Sequence, residues 1–288
     1  MPDVWGLAAI ATKFALYLGV LTSVGLVMCR IVFKTNLDRL DRRIRFTALA
    51  FSLLGLVSAV LSFSLRGAVL MDDISGMTDA SILSLLWETP PGDALLFRVL
   101  GMALLLTGIC LGGRAIWAGL IGGAVALWSF CEIGHIASQD RFFAQVVLFL
   151  HLMAAAFWIG ILMPLKTLAS NDTDRERVAD LGTRFGTIAS GVVPLLILVG
   201  AIMTWWLVGS VSAMFGTAYG QVLIAKLAVV AGLLALALLN KLRLVPAIER
   251  GDHGATIRLA HSISMEWICV ALILLATATF TSVLTVPG

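Results

Sequence analysis

An imidazole placed well inside a lipid-length apolar run is the most informative feature of this sequence. His151 sits within the apolar stretch 142–160, ten residues past Arg141. At 1.5 Å of helical rise per residue that is roughly 15 Å from the end of the run. A titratable group at such depth is costly unless it is hydrogen-bonded, paired or bound to something. His135 closes the preceding apolar segment, so two of the four histidines flank one short loop. The ring nitrogens of both can ligate a transition metal or a haem iron. An imidazole that donates to a backbone carbonyl would meet the same cost, and residue type alone leaves both readings open.

Further candidates surround this pair. Cys131 and His135 are four residues apart and share a helical face, and Glu132 nearly joins them. All three types bind transition metals, although a histidine and a glutamate held by ordinary neighbours at a helix end would look the same. If the two helices are regular, His135 lies shallower than His151. One ion then touches both only if the loop dips inward; otherwise they are successive stations.

Lys226 and Glu266 each interrupt a late apolar run. Read as an ion pair, they would offset much of each other's burial cost, as architecture or as a gate. Lys13 in the first run is equally expensive, and no partner for it is evident. His261 and Met265, four apart, could form an exit station for a soft metal, or be plain interface residues. Met71, Asp72, Asp73 and Met77 put thioethers and carboxylates in one outer loop. Thioether suits Cu(I), and carboxylate with imidazole suits Cu(II). A solvated acidic loop is the plainer alternative.

The elements that must position these groups are membrane helices. The chain has 288 residues, 60% hydrophobic and 13% charged, with a mean hydropathy of +1.01. Apolar runs of about 18 residues or more read as spans. Eight occur, near 5–33, 46–70, 94–113, 115–137, 142–168, 184–209, 219–240 and 257–284. The first has no basic segment ahead of it, so it reads as a span rather than a cleaved signal. The connections are too short to hold a soluble domain. We expect one all-α membrane domain, a bundle of eight helices, with 1–140 as its first four helices and 141–288 as a four-helix core.

Basic residues crowd alternate loops: Lys34, Arg39, Arg42, Arg43 and Arg45; Lys166, Arg175, Arg177 and Arg184; Lys241, Arg243, Arg250 and Arg258. The positive-inside rule puts these in the cytoplasm and both termini in the periplasm. The net charge of +3 belongs to these loops and does not suggest nucleic-acid binding. The four cysteines are scattered and form no Cys-x-x-Cys, so no disulfide framework is expected. No nucleophile elbow, phosphate loop, zinc-protease motif or dinucleotide fingerprint is present. The chain reads as a non-enzyme, with a redox role only if it holds haem.

At several of these residues the chain resembles the CopD family of bacterial inner-membrane copper proteins. The matching elements are Gly134-His135, then His151 through Trp158 and Gly160, then Thr217, Tyr219 and Gly220 with Lys226, then Asn240-Lys241, then Ser264-Met265-Glu266. The family turn has a small residue after Gly-His, where this chain has Ile136. The resemblance implies copper transport or resistance at the cytoplasmic membrane, often beside the periplasmic copper protein CopC. No CopC-like β domain is found in these residues, so such a partner would be separate.

The expected function is inward copper movement. Capture would occur at the outer loop, followed by His135 with Cys131 or Glu132, then His151, with Lys226 and Glu266 shaping the path. The main rival is a b-type haem protein moving electrons, with His135 and His151 as candidate ligands. A third possibility is a scaffold that docks a periplasmic copper chaperone.

Overall fold

A computed structural model describes residues 4–133, 141–171, 174–208 and 211–283. His135 and the rest of 134–140 fall outside that set. The described residues form eleven helices and no strand: α1 (Val4–Val32), α2 (Asp41–Met71), α3 (Ala80–Trp87), α4 (Pro90–Leu111), α5 (Ala115–Glu132), α6 (Arg141–Ala169), α7 (Arg175–Val208), α8 (Val211–Gly216), α9 (Ala218–Leu239), α10 (Val245–Glu249) and α11 (His253–Val283). Eight of them are long and apolar enough to cross a membrane. The eight expected spans are therefore present. Several start before the apolar run, because polar first turns such as Asp41-Arg42-Arg43 continue the same helix.

Helix α1 is the hub, packed on α2, α6, α11 and α5. Lipid tails are as apolar as leucine, so close packing rather than water exclusion must join these helices. Small residues let the backbones meet. A Cβ on Gly25 would lie 1.9 Å from the Ala156 carbonyl oxygen, and one on Gly160 would lie 2.1 Å from the Gly25 carbonyl carbon. Gly19 meets Gly55 between α1 and α2, and Gly108 meets Gly119 between α4 and α5, in the same way. Larger side chains, including Phe33, Phe157 and Phe185, fill the spaces around these crossings.

The end carrying the basic loops is laced by polar contacts. Arg30 pairs with Asp41, Arg39 with Asp174, Arg177 with Asp38 and Arg258 with Asp252. Asn36 Nδ2, in the α1–α2 connection, donates to Asp180 in the second turn of α7 at 2.6 Å. At the opposite end, Lys13 Nζ donates to the Thr281 carbonyl oxygen, and Tyr17 and Thr281 share a 3.3 Å hydrogen bond. The start of α1 and the end of α11 therefore lie at one end of the bundle. The missing partner of Lys13 is a C-terminal helix carbonyl, where a cation is favoured.

The loop 71–93 is more ordered than its sequence suggests. It holds a short 3-10 turn (Ile74–Met77) and α3. Asp73 accepts from the Ser75 amide at 2.8 Å, and Asp79 accepts from the Ser81 and Ile82 amides, both at 2.9 Å. Two of the five acids in this loop are thus engaged as helix caps.

Candidate functional site

The polar side chains inside the bundle separate into two levels, and α9 and α11 show the division. These helices run antiparallel. Lys226 Nζ stands 5.8 Å from the Phe280 ring centre, whereas Asn240 Nδ2 donates to Glu266 Oε1 at 2.6 Å. Fourteen residues separate the two contacts on each helix, which is about 21 Å of rise. The expected Lys226–Glu266 pair is therefore absent. Sequence placed both within apolar runs but carried no information on which residues face each other across the helix pair. Consequently the stability losses of Lys226→Met and Glu266→Gln are expected to add within about 0.5 kcal/mol. Unfolding of the two single variants and the double variant in detergent measures this, and a coupling above about 1 kcal/mol contradicts it.

The upper level, at the end opposite the basic loops, contains His151. Its Nδ1 is buried and has no hydrogen-bond partner. That rules out a backbone-satisfied Nδ1 and leaves a buried nitrogen lone pair or N–H for a ligand. Lys226 lies close enough to act on His151 electrostatically. Arg98 is 7% exposed; its Nε donates to Ser129 Oγ at 3.0 Å, and its guanidinium lies 4.7 Å from the Phe130 ring centre. The Phe130 ring lies 5.1 Å from that of Tyr17, tilted by 33°, one turn from Lys13, and Arg66 and Arg98 both act on Lys13. None of Lys13, Arg66, Arg98 and Lys226 appears in an ion pair with a carboxylate among the described residues. This half of the bundle therefore holds four cations that no carboxylate among the described residues neutralises directly.

Cys131 is 8% exposed at the end of α5, where its carbonyl accepts from Gln145 Nε2 at 3.2 Å. This bond aligns Cys131 with Gln145, six residues and about 9 Å of rise short of His151. Glu132 Oε1 accepts from Trp128 Nε1 at 2.9 Å. Neither residue is brought to His151 as a co-ligand. Among the described residues no three His, Cys, Asp or Glu side chains form a metal-binding group.

His261 and Met265 are both exposed on α11. They face away from the bundle interior, so the proposed exit station does not line an internal path. Met71 is 42% exposed and Asp72 is the left-handed cap of α2. Met77 is half-buried. Hydrogen bonds from Ser75 hold the Asp73 carboxyl below its usual pKa. These four share one loop but do not converge on a single ligand set.

The lower level contains a cavity of about 340 Å³ bounded by α6, α7, α9, α10 and α11. Glu266, only 3% exposed, presents its carboxylate there, held by Asn240 and by Trp158 Nε1 at 3.2 Å. Next to it the chain makes one π-turn, Asn240–Leu244, closed by the Val245 amide donating to the Asn240 carbonyl. Pro246 follows and lacks the amide that a regular α-turn would use. Such wide turns often mark functional positions.

Comparison with known proteins now bears on this geometry. Residues 1–141 match the family model "Copper resistance protein D-like, N-terminal domain", and residues 178–280 match "Copper resistance protein D". The chain belongs to the copper resistance protein D family. It is 28% identical over 274 residues to Copper resistance protein D of Pseudomonas syringae pv. tomato, covering 88% of each chain. It is 26% identical over 158 residues to Copper transport protein CutJ of Bacillus subtilis (strain 168), covering 54% of this chain and 28% of that protein. No solved structure matches it. Lys13, Arg66, Arg98, Cys131 and Glu132 lie in the first matched segment. Lys226, Asn240 and Glu266 lie in the second, and His151 and Trp158 fall between the two.

Proposed function

We propose that this multi-pass membrane protein moves copper ions across the bacterial cytoplasmic membrane, from periplasm to cytoplasm, as part of copper homeostasis. The observation that carries the reading is the buried, unpartnered His151 Nδ1 in the bundle of a copper resistance family member. Neutral imidazole is a good copper ligand. Copper, the substrate, arrives through the loop that carries Met71, Asp72 and Met77, free or from a separate CopC-like protein. It reaches His151 with donors from His135 and its neighbours. Lys226 and the Lys13–Arg66–Arg98 group repel a bare cation, so the ion passes with groups that bring negative charge, Glu132 among them.

The same cations give the haem reading its one specific support. Arg98, buried, and Lys13, Arg66 and Lys226, half-buried, pair with no carboxylate among the described residues, and such side chains are the partners that haem propionates would take. Protein purified without chelators separates the two. Copper without a Soret absorption supports transport, and a Soret absorption with stoichiometric haem replaces it by electron transfer.

The direction rests on the basic end facing the cytoplasm. Reporter fusions after Arg45, Ser170 and Gly251 are expected to be active only as cytoplasmic reporters. Periplasmic activity at any of them reverses or breaks this topology.

A further inference from the structure

The lower cavity is not explained by copper movement, and its shape and lining point to a different ligand. It is walled mainly by apolar side chains, among them Leu162, Phe185 and Leu234. Two lining residues, Ile197 on α7 and Leu238 on α9, are also 53% and 56% exposed on the outer surface of the bundle. The cavity therefore opens sideways, between α7 and α9, toward the hydrocarbon of the membrane. Helix α7 leans on α6 and α10, and α9 leans on α11, so the two diverge. No neighbour lies within 4 Å of a Cβ built on Gly191 or Gly200 of α7, or on Gly232 of α9.

The far wall is polar and acceptor-rich. Glu266 supplies a carboxylate, and the Asn240 Oδ1 is buried without a donor. Lys241 lies at the basic end of the cavity, with its ammonium donating to Ser190 Oγ. Ligand pockets of this size, mostly apolar with a few fixed polar groups, bind small molecules. A phospholipid acyl chain fits the walls but would leave the carboxylate and the amide oxygen facing hydrocarbon, which is costly. A hydrated metal ion fits the carboxylate but does not enter from the lipid side.

We infer that this cavity binds a neutral, membrane-dissolved molecule with an apolar body and a hydroxyl-bearing head, of the hydroquinone or phenol class. Its hydroxyls donate to Glu266 and Asn240 Oδ1, and it enters between Ile197 and Leu238.

The probe is a photoreactive azido alkyl-benzoquinol, kept reduced, applied to the full-length protein in lipid nanodiscs. Saturable labelling is expected within 182–197 and 234–241. Unlabelled decyl-benzoquinol should displace it, and the dimethyl ether, which lacks both donors, should do so about tenfold less well. Glu266→Gln should weaken binding about tenfold or more. Ile197→Trp, a change on a lipid-facing surface that leaves the core intact, should block the mouth and remove the labelling. Labelling elsewhere, equal displacement by the dimethyl ether, or undiminished labelling of Ile197→Trp overturns the inference. So does a co-purified phospholipid that the quinol does not displace. Copper content, measured on the same preparation, reports on the transport reading separately.

Discussion

Cells carrying His151→Ala are expected to accumulate copper at the level of cells without the protein, a fall of about tenfold or more. Loss of supporting groups around a metal ligand already costs about 10–100-fold, and loss of the ligand costs at least as much. Of His135 and His151, only His151 lies among the described residues, and its Nδ1 has no protein partner to lose. The truncation leaves a cavity worth about 2–3 kcal/mol but breaks no hydrogen bond of that nitrogen. A folded variant is therefore expected, and protein amounts in the membrane must be matched. Normal accumulation at matched amounts removes His151 from the copper path. Cys131→Ser should have the smaller effect if the ion is Cu(II), and a larger one if it is Cu(I), because thiolate favours the softer ion.

Gly25→Leu should abolish the folded protein, with a loss above about 4 kcal/mol. At this crossing of α1 and α6 the obstacle is backbone: the first added carbon would sit 1.9 Å from the Ala156 carbonyl oxygen. No rotamer change relieves that contact, so the helices must separate and give up the packing that joins them in lipid. Gly232→Leu is the control, because nothing lies within 4 Å of that position. Its expected effect is within about 0.5 kcal/mol. Monodisperse yield and thermal unfolding in detergent measure both. Comparable stability of the two variants would mean that α1 and α6 do not cross as described.

The bundle was readable from sequence because a span needs only length and apolarity, and both are properties of a continuous segment. Glycines inside the runs, such as Gly19 and Gly25, signal close helix contacts by their small size, although not which helices meet. Pairings across the bundle were not readable. Lys226 and Glu266 looked like partners, yet they stand about 21 Å apart along α9 and α11, because facing register depends on how the helices slide against each other. Lys13 had no visible partner because its acceptor is the backbone carbonyl of Thr281, which every residue type offers equally. Arg98 carries no spacing signal that sets it apart, although it is eight residues into α4 and 7% exposed. Its Ser129 and Phe130 contacts come from another helix. The lower cavity depends on a π-turn before Pro246 and on the splay of α7 from α9, and neither leaves a periodic signal. Asn240 and Trp158 were visible only as part of the family resemblance.

Copper entry into sealed vesicles tests the central claim most directly. The purified protein is reconstituted into liposomes that hold a copper-sensitive dye, and copper is added outside. The account predicts that dye response in wild-type vesicles exceeds the protein-free rate severalfold and saturates with copper, while vesicles with His151→Ala fill at the protein-free rate. Wild-type vesicles that fill no faster than protein-free ones, from protein that shows a Soret absorption, would contradict copper transport.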